Sequence, residues 1–166
     1  MAAEAYPSLT RAATVLCWSK ADIEDVVQET MLSAYKSFGS FRGDSSFVTW
    51  AYRILVRAAQ MANRKRAKVL PAEYALTREQ QLPPADRTVI LDEEAHGVID
   101  AIRSLPERQR EIITLYLLKE FSYAEISSTM EISLGTVKAT IFEAKASLRA
   151  ALAKKGIVKR SIHVLS

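Results

Sequence analysis

Apolar residues return along this chain at helical spacing, in two stretches separated by a segment where the period fails. In the first stretch Ile23, Val26, Val27, Thr30, Met31, Ala34, Tyr35 and Phe38 fall on one stripe of a 3.6-residue helix. Asp25, Gln28, Glu29, Ser33 and Lys36 take the opposite face, with Asp22 the expected N-cap and Gly39 the expected stop. Beyond a break at 39–46, Phe47, Trp50, Ala51, Ile54, Leu55, Ala58 and Met61 form a second stripe. Arg53, Arg57, Arg64, Lys65 and Arg66 decorate the rest of that helix. An earlier helix, from about residue 6 to 18, offers Leu9, Ala12, Ala13 and Leu16 to complete a three-helix core.

From 67 to 91 no period is sustained. Pro71, Pro83 and Pro84 remove helical donors and push their predecessors toward extended geometry, so the stretch reads as a linker, with room for one short helical turn near 72–81. Helical spacing then resumes. Val98, Ile99, Ile102 and Leu105 form a stripe that Pro106 breaks, and Pro106 with Glu107 suits the first turn of a helix over 106–119. Ser122-Tyr-Ala-Glu125 has capping-box spacing, and Ser133 is the expected N-cap of a last helix whose core positions are Val137, Ile141, Ala144 and Leu148. The pattern predicts an all-α chain of two small helical domains, three helices in the first and four in the second. The expected boundaries are 1–66, a linker at 67–91, 92–153, and a basic tail at 154–166.

Composition narrows the function classes. The chain has 166 residues, 49% hydrophobic and 25% charged, the balance of an ordinary globular protein. No apolar run reaches the length of a membrane span, and the N-terminus lacks a basic segment followed by an apolar core, so a cytoplasmic protein with no membrane insertion of its own is expected. Cys17 is the single cysteine and reads as a small buried apolar residue. His96 and His163 are the only histidines and have no metal-ligand spacing to Cys or carboxylates, so neither a metal site nor an enzyme is expected, and no cofactor is implied. The run Asp92-Glu-Glu94 reads as a helix N-terminus favouring negative charge. Charge is segregated: 1–66 hold nine Lys/Arg against six Asp/Glu, 92–153 hold seven against ten, and the tail from Lys154 has four basic residues and no acid.

Residues 121–148 have the proportions of a helix-turn-helix. A short helix over 122–129 precedes a longer one over 134–150, with Ile132 expected to plug the angle between them and Ala124 small where they approach. Lys138, Lys145 and Arg149 fall on one side of the second helix, suited to phosphates, and Gly135 carries no side chain to block a backbone.

Leu105-Pro-Glu-Arg-Gln-Arg-Glu-Ile-Ile, Phe121-Ser-Tyr-Ala-Glu-Ile and Ser133-Leu-Gly-Thr-Val-Lys together resemble the promoter −35 recognition domain of sigma factors. Response regulators share that signal, and the first half breaks the tie. Asp22-Ile-Glu-Asp-Val-Val-Gln-Glu-Thr-Met-Leu-Ser-Ala-Tyr resembles the family's polymerase-clamp helix, and Phe41-Arg-Gly-Asp-Ser-Ser-Phe-Val-Thr-Trp-Ala-Tyr-Arg-Ile its −10 segment. Both blocks in order resemble the extracytoplasmic-function group of RNA polymerase sigma factors.

The resemblance implies an alternative sigma factor that directs bacterial RNA polymerase to the promoters of a stress- or signal-responsive regulon under an anti-sigma factor. The implied partners are promoter DNA, the β′ clamp helices and β flap of core polymerase, and that anti-sigma factor, wedged between the halves. Region 2 would occupy 1–66, with Asp25, Gln28, Glu29 and Ser33 meeting polymerase. Phe41, Arg42, Ser45, Ser46, Tyr52, Arg53, Arg57 and Arg64 would meet the −10 element, the 41–46 loop taking a flipped base and Phe41 and Tyr52 stacking on unpaired ones. Trp50 reads as core. Region 4 would occupy 92–153, with Ser133, Gly135, Thr136, Lys138, Ala139, Phe142, Glu143 and Lys145 at the −35 element.

Two departures stand out. Arg57 occupies a position where the family commonly has Asn, and Ala139, Thr140 and Glu143 stand where relatives usually carry Ser, Arg and Arg. A carboxylate repels phosphates but can accept from cytosine N4. Either the −35 element is unusual, or contacts there are weak and the −10 element dominates. Glu143 and the acidic second half also motivate a sigma mimic that sequesters an anti-sigma factor without driving transcription. An ordinary helix-turn-helix repressor would need a dimerisation helix, and none is legible.

Overall fold

The computed structural model describes residues 2–17, 19–69, 93–117 and 121–156. Trp18, most of the expected linker with its turn near 72–81, Asp92, Lys119, the tail beyond 156 and His163 lie outside the described residues. Every regular element among the described residues is a helix, as the periodicity predicts. The chain divides into two compact units, residues 1–83 and 84–166.

The first unit packs α1 (Ala2–Leu16), α2 (Lys20–Ser37) and α3 (Phe47–Val69) against one another, with a short 3-10 turn at Phe38–Ser40. Leu9, Ala12, Ala13 and Leu16 of α1 are buried as expected, together with Cys17. From α2 come Val26, Val27, Thr30 and Ala34, but Tyr35 and Phe38, expected on that stripe, are 83% and 46% exposed. The start of α2 also differs from expectation. Ser19, not Asp22, is the N-cap: its Oγ accepts from the Asp22 N–H at 3.1 Å and donates to Asp22 Oδ2 at 2.6 Å. A hydroxyl three residues ahead of an acid satisfies one orphan amide and leaves the carboxylate near the positive end of the helix. Gly39 lies within the 3-10 turn, not at a left-handed stop.

The expected core stripe of α3 is rotated. Tyr52, Leu55, Val56, Ala59 and Asn63 are buried with Ala51, whereas Met61 is 71% exposed and Trp50, Ile54 and Ala58 are only half-buried. This helix has two apolar faces. Counting apolar residues favours the outer one, because the inner one carries two polar groups that find partners. Tyr52 Oη bonds to Ser8 Oγ at 2.8 Å and donates to Ser8 O at 3.0 Å. Asn63 Nδ2 donates to Leu16 O at 3.1 Å, meeting one of the carbonyls that the last turn of α1 cannot pair internally.

The second unit holds α4 (Glu93–Arg103), α5 (Glu107–Leu117), α6 (Tyr123–Met130) and α7 (Leu134–Lys154). Its core is Ile102, Leu105, Ile112, Ile113, Leu115, Ile126, Val137, Ile141, Ala144, Leu148 and Leu152. Buried Arg110 of α5 repeats the device of Asn63, donating from Nη1 to Arg103 O at 3.0 Å at the end of α4. The capping box at α6 is complete: Ser122 Oγ accepts from the Glu125 N–H at 3.2 Å, and Glu125 Oε2 accepts from the Ser122 N–H at 2.8 Å. Ser133 caps α7, its Oγ accepting from the Thr136 N–H at 3.1 Å.

Candidate functional site

α6 and α7 form the helix-turn-helix. The turn is made by Glu131 in the left-handed region (φ 54°, ψ 46°), after which the Ile132 N–H returns to Ser127 O at 3.1 Å and Ser127 Oγ donates to Ile132 O. Ile132 is half-buried in that angle. Ala124, expected at the close approach, is instead exposed; Ile126, Thr129 and Met130 supply the packed face of α6.

The long second helix presents one face to the core and the other to solvent. Gly135, Thr136, Lys138, Ala139, Phe142 and Glu143 are all exposed, Phe142 at 76%. Their surroundings separate the candidates. The Ser133 hydroxyl is occupied by capping and lies 2.8 Å from Thr136 Oγ1. A Cβ at Gly135 would meet only Ser133 Oγ at 3.8 Å, so nothing inside the protein requires glycine there. Lys145 turns back onto α5, donating to Tyr116 Oη at 3.0 Å with its ammonium 4.6 Å from that ring's centroid. Tyr116 in turn packs on Tyr123 with centroids 5.9 Å apart. Glu143 lies 3.4 Å from Gln109 Nε2 of α5.

In the first unit the 41–46 loop is anchored by rings. Phe41 packs 6.0 Å from Phe38, 6.1 Å from Phe47 and 5.2 Å from Trp50, centroid to centroid, and all four rings remain partly exposed. Phe38 and Phe47 were not singled out from sequence, because each counted as one more apolar residue of a helical stripe. Ser46 Oγ accepts from the Thr49 N–H at 3.0 Å, while Arg42 is exposed and Ser45 half-buried with its hydroxyl 3.4 Å from Ser46 O. Tyr52 is a correction. Its ring is fully buried and its hydroxyl is held by Ser8, so it is a core residue with no face for a base. Arg53, Arg57 and Arg64 line the outward side of α3; the Arg53 Nε is itself buried and unpartnered.

A groove of about 660 Å³ runs between α2 and α3. Asp22, Asp25, Glu29 and Ser33 form one wall, Arg57, Lys65 and Arg66 the other, with Val26, Ile54, Ala58 and Met61 among its apolar lining. Arg66 Nη1 meets Asp22 Oδ2 at 2.9 Å, and Ser33 Oγ donates to Glu29 Oε1 at 2.9 Å. Three of the four residues expected at the polymerase face thus share one groove, and Gln28 is exposed on α2 beside it. Sequence reading assigned the two walls to different ligands; the link between them, Asp22 to Arg66, spans 44 residues and leaves no local pattern. Among the described residues no group of His, Cys, Asp and Glu could hold a metal ion, and no helix is long and apolar enough to cross a membrane.

Residues 1–69 match the family described as Sigma-70 region 2, and residues 96–148 match Sigma-70, region 4. The chain is 35% identical over 137 residues to the ECF RNA polymerase sigma-E factor of Haemophilus influenzae, covering 76% of this chain and 72% of that protein. It is 33% identical over 144 residues to the RNA polymerase sigma-H factor of Pseudomonas aeruginosa, covering 79% and 73%. Among solved structures it resembles the sigma factor RpoE in complex with the anti-sigma factor NepR from Bartonella quintana, with a TM-score of 0.70, 25% identity and 90% and 92% of the two chains covered. CnrH, solved with the cytosolic domain of CnrY, shares the fold at a TM-score of 0.60 and 21% identity over 92% and 95% of the chains.

Proposed function

The chain belongs to the extracytoplasmic-function sigma factors, and on that premise we propose that it directs bacterial RNA polymerase to the promoters of a signal-responsive regulon and is itself held in check by an anti-sigma factor. The observation that carries this is the pairing, in one chain, of a region 2 unit bearing the α2–α3 groove with a region 4 unit bearing a capped helix-turn-helix. The polymerase does the covalent chemistry; this chain supplies binding and specificity. The working compartment is the cytoplasm, where polymerase and promoters are.

Region 2 spans residues 1–66 and region 4 spans 92–153, with 67–91 a linker and 154–166 a basic tail. Asp25, Gln28, Glu29 and Ser33 dock on the β′ clamp helices: exposed acids on a helix beside exposed apolar Leu32 offer a partner helix both charge and contact area. The β flap and the −35 element are met by region 4. At the −10 element Arg42, Arg53, Arg57 and Arg64 hold backbone phosphates, Ser45 and Ser46 line the turn that takes a flipped base, and Phe41 offers a ring edge already braced by three others. α3 carries Arg53, Arg57, Arg64, Lys65, Arg66 and Lys68 and no acid, so attraction to a phosphate backbone is its net effect. Of the −35 candidates, Gly135, Thr136, Lys138, Ala139, Phe142 and Glu143 stay outward, while Ser133 acts as a cap and Lys145 as a brace.

Reconstitution tests the proposal. Purified chain added to core polymerase should yield run-off transcripts and strand opening near −10 at promoters that core polymerase alone ignores. A chain that binds an anti-sigma factor but never core polymerase would be a mimic and would overturn it.

A further inference from the structure

The outward face of α7 carries an apolar strip with a carboxylate on one border and cations on the other. Gly135, Ala139, Phe142, Ala146 and Ala150 recur on it at spacings of three and four, all exposed, and Glu143 is the carboxylate at its border. Lys138 and Arg149, both exposed, flank that strip on the side away from Glu143, and Lys145 is drawn away to Tyr116. A carboxylate brought against a polyanion is repelled unless it meets a hydrogen-bond donor. Phosphates and sugars of a DNA duplex offer none, so a direct donor to Glu143 on the duplex is a base edge.

Resting on the reading of α6 and α7 as the −35 helix-turn-helix, we infer that Glu143 is a specificity determinant that selects a cytosine in the −35 element, with Gln109 as its positioning residue. An ionised carboxylate only accepts. In the major groove cytosine presents the N4 donor, whereas adenine presents its N6 donor beside the N7 acceptor, which a carboxylate would oppose; guanine and thymine present acceptors. Cytosine is therefore the base a fixed Glu tolerates best.

Gln109 fixes it. Its Nε2 points to Glu143 Oε2 at 3.4 Å from the neighbouring helix, a long bond that steers more than it binds. The other amide atom, Oε1, is buried without a partner. Turning the amide over would set oxygen against oxygen at Glu143, so the observed orientation is the one the carboxylate enforces. With Oε2 engaged, Oε1 of Glu143 is left to accept from a base. The flanking Phe142 and Ala139 add apolar surface of the kind that meets thymine methyls, while Lys138 and Arg149 at the strip's other border are placed for phosphates.

The test is a promoter library randomised over the −35 element, transcribed by holoenzyme rebuilt with the wild-type chain, Glu143→Gln or Gln109→Leu. The wild type should prefer cytosine at one position by on the order of tenfold. Glu143→Gln should move that preference to adenine, which a glutamine amide meets at both N6 and N7, and leave the other positions unchanged. Gln109→Leu should weaken the cytosine preference several-fold while the order of preference at other positions stays the same, an effect that simple loss of folded protein would not produce. Loss of cytosine preference in Glu143→Gln without the adenine gain still supports the contact. A holoenzyme that opens promoters yet uses all four bases equally at every −35 position, or whose preferences ignore Glu143→Gln, overturns this inference and leaves the proposed function standing. A chain that never joins polymerase overturns both.

Discussion

Replacing Tyr52 by Phe removes one oxygen atom from the centre of the region 2 unit. The ring stays, so the packing of α3 on α1 is kept and no cavity opens. The losses are the contact with Ser8 Oγ at 2.8 Å and the bond donated to Ser8 O at 3.0 Å. Net values for a buried hydrogen bond cluster near 1 kcal/mol. Ser8 is half-buried, so its hydroxyl can turn toward water, and its carbonyl lies within α1. Neither partner is stranded, and the expected cost is about 1–2 kcal/mol, against about 3–5 kcal/mol for a ring-deleting change to Ala. For a unit of this size that is a melting shift of roughly 5–10 °C. Both tryptophans, Trp18 and Trp50, belong to this unit, so tryptophan fluorescence during urea unfolding follows region 2 alone while circular dichroism follows both units. Tyr52→Phe should lower the fluorescence midpoint, leave the later or earlier region 4 transition in place, and leave promoter opening intact under conditions where the protein is folded. An unchanged midpoint combined with impaired strand opening would mean that the hydroxyl faces DNA, and the assignment of Tyr52 to the core would be wrong.

Other expectations follow from the same geometry. Glu131→Gly relieves a left-handed residue in the turn and should stabilise the region 4 unit by about 1 kcal/mol, read as a rise in its circular dichroism midpoint; a fall would show that the Glu131 side chain matters more than its backbone. Asp22→Ala removes both the Ser19–Asp22 contact and the Arg66 ion pair, which is partly exposed, so it should cost on the order of 1 kcal/mol and less in high salt. A loss independent of salt would point to the cap alone. Lys138→Ala should weaken −35 binding and flatten its salt dependence by about one counterion, whereas Lys145→Met should change that slope little, because the Lys145 ammonium is already engaged by Tyr116. Gly135→Ala should hold or slightly raise the region 4 midpoint, since its Cβ meets open space and alanine favours the helix, so any loss of −35 binding it causes reports how closely DNA approaches that turn.

What could be read in the sequence was what depends on neighbours a few residues apart. The capping box at Ser122 and Glu125, the Ser133 cap and the α7 core positions are local, and all stand where spacing put them. The inner face of α1 did too. Errors arose where a helix has more than one apolar side. α3 buries Tyr52 and Asn63 because Ser8 and the Leu16 carbonyl, both more than 40 residues away, satisfy them, while Met61 and Ile54 line a groove. No window of sequence holds both halves of those bonds. The same reason hid the Asp22–Arg66 and Gln109–Glu143 pairs: charge or amide chemistry was visible at each position, but not its partner. Ala124 differs for another reason: a small side chain suits an exposed helix face as well as a close approach, and here it faces solvent.

α3 is an unbroken rod of 23 residues, about 34 Å long at 1.5 Å per residue. From Arg53 to Lys68 its cationic side extends for roughly 22 Å, the rise of six or seven nucleotides on one strand of B-form DNA. On the proposed −10 contacts, the length of strand that α3 can span is built into the number of helical turns before Val69, and inserting one turn would lengthen it by about 1.5 nucleotides while returning every later cation to nearly the same side.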